Sequence, residues 1–278
     1  QITVIGEDTT GIIARVTTLL YERQINIEDL DQAVREGLFR MTLHVDTSEM
    51  TCSQAELREA LDELGEEIGH EVRVRFPDDR DTQTIAVLAT KETHAPEALL
   101  AANEEGTLDA DISVVISNHS DLEELAADYD VPFHDIGDEK GTPDEDQLLT
   151  LLEEYDADLI VLARYMRIIG PEVVFRYEDR IIHPSLLPSF PGARAYQQAR
   201  QEGVRVGGVT AHYVTTDLDQ GPIIAQRAFD VPADATVEEL EQRGQPLEAS
   251  ALLEAVRLHL DDAVYVHQGR VELRDGVD

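Results

Sequence analysis

Short apolar runs alternate along the chain with stretches of helical spacing, and that alternation restricts it to layered α/β architectures. Near the N-terminus, residues 2–5 form a strand-like run. Ile12, Val16, Leu19 and Leu20 then carry helical spacing, and residues 38–45 return to strand. A second helix over 54–68 and a strand over 72–76 complete a β-α-β-β-α-β order. That is the split-βαβ or ferredoxin-like plan, fitted into residues 1–77. Pro77 followed by Asp78, Asp79, Arg80 and Asp81 breaks the pattern and predicts a charged linker over 78–83.

From residue 84 onward the pattern changes. Apolar runs at 84–89, 112–117 and 159–163 are separated by helical segments such as 121–128 and 145–154, which predicts a Rossmann-like open parallel sheet over 84–278. A long helix over 237–260 and a hairpin over 264–273 around Gly269 close the chain. Ligands of open α/β sheets sit beyond the carboxyl ends of the strands, so the loops after Ala89, Ser117, Ala163 and Ile182 are where chemistry is expected.

Composition narrows the function. With 22 basic against 58 acidic residues in 278, the formal charge is −36, which disfavours nucleic-acid and anionic-membrane partners. Only Lys91 and Lys140 are lysines and there is no tryptophan, a surface similar to that of halophilic proteins. Apolar residues make up 42% of the chain, too many for disorder, and no apolar run reaches the roughly 18 residues of a membrane span. A single cysteine, Cys52, allows neither an internal disulfide nor a thiolate metal site, and the nine histidines show no metal-ligand spacing. With no signal-peptide pattern at Gln1, the expectation is a cytoplasmic protein without a bound metal.

Two segments carry the candidate chemistry. The first runs from His183 through Pro184, Ser185, Pro188 and Pro191 to Gly192, a rigid loop that places a histidine at a strand end. The second runs from Gly207 through His212 and Asp217 to Asp219, Gly221 and Pro222, a strand followed by a tight acidic loop and another strand. A histidine and a carboxylate facing one cleft can share the proton work of hydrolysis. Sequence alone leaves open whether they meet. His212, inside a strand, reads as a packed residue, and Lys91 as a side chain near substrate.

Together these segments resemble the signature pair of the folate-dependent formyltransferase fold, and Leu162-Ala-Arg164-Tyr165-Met166-Arg167-Ile168-Ile169 is similar to that family's folate-binding loop. The N-terminal stretch, with Gly6, Asp8, Thr9 and Gly11 before the first helix and Asn26 to Gln32 after it, resembles an ACT regulatory domain. That order of domains is the arrangement of the formyltetrahydrofolate deformylase family. The resemblance implies hydrolysis of 10-formyltetrahydrofolate to formate and tetrahydrofolate, feeding one-carbon and purine metabolism with no bound cofactor. It also implies His183 and Asp219 as the catalytic pair, and Arg164, Tyr165, Met166, Arg167, Ile168, Ser185 and Lys91 as substrate-binding residues. Asp8, Thr9 and Gly11 would contact an amino-acid effector in a homo-oligomer, Asp8 or Thr9 capping the first helix.

In one place the chain departs from that pattern. The family motif reads Asn-x-His-Pro-Ser, yet two residues before His183 stands Ile181, which donates no hydrogen bond. Asn118 is the available substitute donor. Transfer of the formyl group to an amine such as glycinamide ribonucleotide is the alternative within the fold, and a non-catalytic folate or amino-acid sensor the alternative outside it. Against the transferase, residues 90–96 contain no glycine with which to cradle a phosphate.

Overall fold

The computed structural model describes residues 1–76, 83–185, 195–267 and 269–274, and divides the chain into two compact units, 1–81 and 82–278. The first unit runs β1 (Ile2–Glu7), α1 (Ile12–Glu22), β2 (Asn26–Arg35), β3 (Leu38–Asp46), α2 (Gln54–Ile68) and β4 (His70–Val74). Its sheet has the order β2-β3-β1-β4 with every pairing antiparallel. One face of the sheet and both helices bury Ile2, Val4, Val16, Leu20, Met41, Leu43, Leu57 and Leu61.

Local chemistry sets the ends of α2. Ser53 and Glu56 form a reciprocal capping box at its start, and Gly69 ends it in a left-handed conformation with φ of 72°. The start of α1 corrects the expected cap. Gly11 (φ 97°) occupies the N-cap with no side-chain hydrogen bond, while Asp8 uses its backbone N–H to bond the Gly37 carbonyl at 2.8 Å. Strand β2, an exposed acidic edge with few apolar residues, is the element that periodicity left without boundaries.

The second unit runs β5 (Gln83–Ala89), α3 (His94–Glu104), β6 (Ala110–Ser117), α4 (Glu123–Asp128), β7 (Phe133–Asp135), α5 (Glu145–Glu154) and β8 (Leu159–Leu162). It continues through α6 (Pro171–Arg176), β9 (Ile181–Ser185), α7 (Ala195–Gln201), β10 (Val206–Tyr213), β11 (Ile223–Asp230) and α8 (Val237–Leu260) to the hairpin β12 (Val264–His267) and β13 (Arg270–Leu273). Its seven-stranded sheet has the order β11-β10-β9-β8-β5-β6-β7. The expected parallel sheet is confined to β9 through β7, because β10 and β11 add antiparallel pairs.

Alternation along β5 sends Ile85 and Val87 into one apolar layer with Leu99, Leu252 and Val256, and Ala86 and Leu88 into the other with Leu148, Leu152 and Val173. Strand order reverses between β8 and β5, which opens the crevice at their carboxyl ends. The predicted linker falls largely outside the described residues, and Gln83 already begins β5. Among the described residues no helix is long and apolar enough to cross a membrane.

Candidate active site

Register places the first two candidate groups. Strand β9 carries His183 directly opposite His212 of β10, so the two imidazoles stand edge to face with ring centroids 5.6 Å apart. Past β10 the chain turns back on itself. A Cβ on Gly221 would run into the Tyr213 carbonyl, so only glycine lets the loop return this closely. That return puts Asp219, at φ 51° and 9% exposed, against both histidines. Its Oδ1 lies 3.7 Å from His183 Nε2 and 3.9 Å from His212 Nε2. These spacings are too long for direct hydrogen bonds.

The protonation of this trio follows from its burial. His212 Nδ1 lies 2.8 Å from the Tyr213 carbonyl, which can only accept, so that nitrogen carries the proton. Nε2, buried without a hydrogen-bond partner, is the bare nitrogen turned towards Asp219. Burial pushes the His183 pKa down to about 4, with His212 and Arg164 adding to the shift and Asp219 and the Leu162 backbone opposing it. Burial also lowers the pKa of His212. Both rings are therefore neutral at neutral pH.

The loops around the trio are tied together. Thr90 Oγ1 donates to Asn118 Oδ1 at 2.9 Å and accepts from the Met166 N–H at 2.9 Å, while Asn118 Nδ2 donates to the Gly141 carbonyl at 2.7 Å. Asn118 is thus committed at both ends and is not the free donor that the sequence suggested. Ile181 is fully buried among Leu162, Val173 and Tyr177, so no amide stands at that point of β9.

The folate-loop candidates divide. Arg164, left-handed at φ 64°, turns its guanidinium onto Glu92, donating from Nε at 3.1 Å and from a terminal nitrogen at 2.7 Å. Tyr165 is 2% exposed within the core, its hydroxyl unpartnered and its pKa raised by burial to about 12. Met166 and Ile168 hold their side chains out to solvent, and Arg167 donates to the Lys140 carbonyl at 3.1 Å. Lys91 pairs with Asp121 at 3.4 Å on the surface. The Ser185 hydroxyl is buried without a partner, while residues 186–192 of the proline-rich loop lie outside the described residues. In the first unit, Asp8 and Thr9 are exposed.

Sequence reasoning missed a buried polar cluster beside the site. Glu248 of α8, 2% exposed, accepts from the Tyr196 hydroxyl at 2.8 Å, lies 3.2 Å from His94 Nε2 and stands 3.8 Å from Arg164. Although burial opposes it, these partners hold the Glu248 carboxyl below its usual pKa. Its one sequence signal is an acidic residue on the apolar side of an amphipathic helix. No cluster of three or more His, Cys, Asp or Glu among the described residues is arranged to hold a metal.

Residues 83–256 match the family model described as formyl transferase, and residues 1–75 match an ACT domain model. Formyltetrahydrofolate deformylase of Haemophilus influenzae is 36% identical over 271 residues, covering 95% of this chain and 94% of that protein. The solved formyltetrahydrofolate deformylase from Pseudomonas syringae superposes with a TM-score of 0.70 at 30% identity, covering 99% of this chain and 93% of that one. Glycinamide ribonucleotide transformylase 1 from Symbiobacterium toebii gives a TM-score of 0.67 at 31% identity over 73% of this chain and 98% of its own.

Proposed function

Because the chain belongs to the formyltetrahydrofolate deformylase family, it is a hydrolase of the formyl C–N bond of 10-formyltetrahydrofolate, and we propose that His183 and Asp219 carry the reaction, with His212 as a positioning residue. The observation behind this reading is the convergence of both histidine Nε2 atoms on Asp219 Oδ1 at 3.7 and 3.9 Å. A water held there donates to Asp219 and attacks the formyl carbon. His183 takes up the proton lost by the water, and Asp219 stabilises the imidazolium. Burial makes that imidazolium a strong acid, so it readily passes the proton to N10, and the C–N10 bond breaks to give formate and tetrahydrofolate.

The oxyanion of the tetrahedral intermediate is the demanding part, since one well-placed donor contributes about 3 kcal/mol. With Ile181 buried in the core, this chain works without an amide at that position. On the folate side, the exposed Met166 and Ile168 wall the pteridine, with Arg167, Ser185 and Lys91 at its polar edges. The reading extends to a cytoplasmic, salt-adapted homo-oligomer whose ACT domains take an amino-acid effector near Asp8, Thr9 and Gly11.

Formate release from 10-formyltetrahydrofolate in molar KCl, measured beside Asp219→Asn, tests the proposal. The variant should lose about 1,000-fold in kcat with folate binding retained. A variant as fast as the native enzyme would overturn the assignment of Asp219.

A further inference from the structure

A formyl group can pass to water or to an amine, and solved proteins of this fold include both deformylases and ribonucleotide transformylases. Within the second unit, three helices and two loops meet around Arg164, whose charge acts on His183. Arg164 follows β8 by two residues, Glu92 lies between β5 and α3, His94 opens α3, Tyr196 lies on α7 and Glu248 on α8. We propose that Arg164 selects the acceptor: clamped by Glu92 and Glu248, its guanidinium fills the space beside His183 that an amine would need, so that water is the nucleophile left.

Three observations carry this inference, which rests on the hydrolase reading above. First, the guanidinium is fixed, with two hydrogen bonds to Glu92 at 2.7 and 3.1 Å and Glu248 at 3.8 Å. Second, Arg164 adopts φ 64°, a left-handed conformation that costs any side chain other than glycine. A large side chain kept at such a position needs a reason beyond packing. Third, the cluster sets two carboxylates against one guanidinium, and residues 90–96 contain no glycine whose backbone N–H could approach a phosphate. A phosphorylated amine therefore meets both bulk and like charge at the place where an acceptor would approach the formyl carbon.

Arg164→Gly empties the space and suits the backbone. In that variant an amine nitrogen would attack the formyl carbon and lose a proton, while the C–N10 bond breaks and N10 gains one, giving an N-formyl amine and tetrahydrofolate. The experiment incubates 10-formyltetrahydrofolate with glycinamide at mildly alkaline pH and reads the ratio of N-formylglycinamide to formate. The native enzyme should give formate almost alone. Arg164→Gly should raise the ratio by roughly tenfold or more, and Arg164→Met, which refills the volume without the charge, should stay near the native ratio.

A folded Arg164→Gly protein with an unmoved ratio, or an equal gain in Arg164→Met, overturns the proposal. If Arg164→Gly fails to fold, Glu92→Gln loosens the clamp from its more exposed side, and an unmoved ratio there overturns the proposal equally. Native enzyme that releases no formate would instead refute the hydrolase reading, so the two failures are distinguishable.

Discussion

His183 should make the second unit acid-sensitive in a way that one substitution removes. In the unfolded chain its imidazole titrates near 6.5, whereas in the fold burial holds it to about 4. Between those values the unfolded state binds one more proton than the folded state, so stability is complete above about pH 6.5 and falls as the pH drops towards 4. The slope is about 1.4 kcal/mol per pH unit, which sets a ceiling of about 3 kcal/mol over the whole interval. Urea midpoints of native protein and His183→Gln at matched high salt, from pH 4 to 7, isolate this contribution. Carboxylate titration and relief of the −36 charge act on both proteins and cancel in the difference. Seven of the eight tyrosines lie in the second unit, so tyrosine fluorescence reports on the part of the chain that holds the histidine. Two proteins that lose stability in parallel would refute the reasoning.

Other perturbations have equally definite outcomes. Tyr196→Phe leaves the buried Glu248 one donor short and should cost about 1–3 kcal/mol in chemical denaturation. Asn118→Ala cuts the links to Thr90 and Gly141 together, and thermal unfolding should show a loss of about 2 kcal/mol with weaker folate binding by calorimetry. Inserting Asn-Ile before His183 keeps strand alternation, and if it supplies the amide that Ile181 cannot, kcat should rise about 100-fold in the formate assay. Raising KCl from low to molar concentration should lift the unfolding midpoint, since screening acts on a net charge of −36.

The fold was largely legible because its runs alternate at clean periods. Strand β5 reads as a continuous apolar run since both of its faces are covered, and the expected helix over 54–68 coincides with α2. Strand β2 was harder because an exposed acidic edge lacks an apolar period. At the site, motif wording pointed to His183 and Asp219, but only the β9–β10 register shows that His212 faces the same carboxylate. The Arg164 and Glu248 cluster was invisible for a related reason. Its members lie at 92, 94, 164, 196 and 248, and no local pattern links positions so far apart.

Asp219 and Arg164 both sit at left-handed backbone positions where glycine would rest more easily. A library of this protein sorted only for heat resistance would drift towards glycine at 219, whereas at 164 the ion pairs with Glu92 and the buried Glu248 oppose the same drift. The change at 219 would silence the reaction. Any directed evolution of this scaffold therefore has to score turnover and stability in the same round.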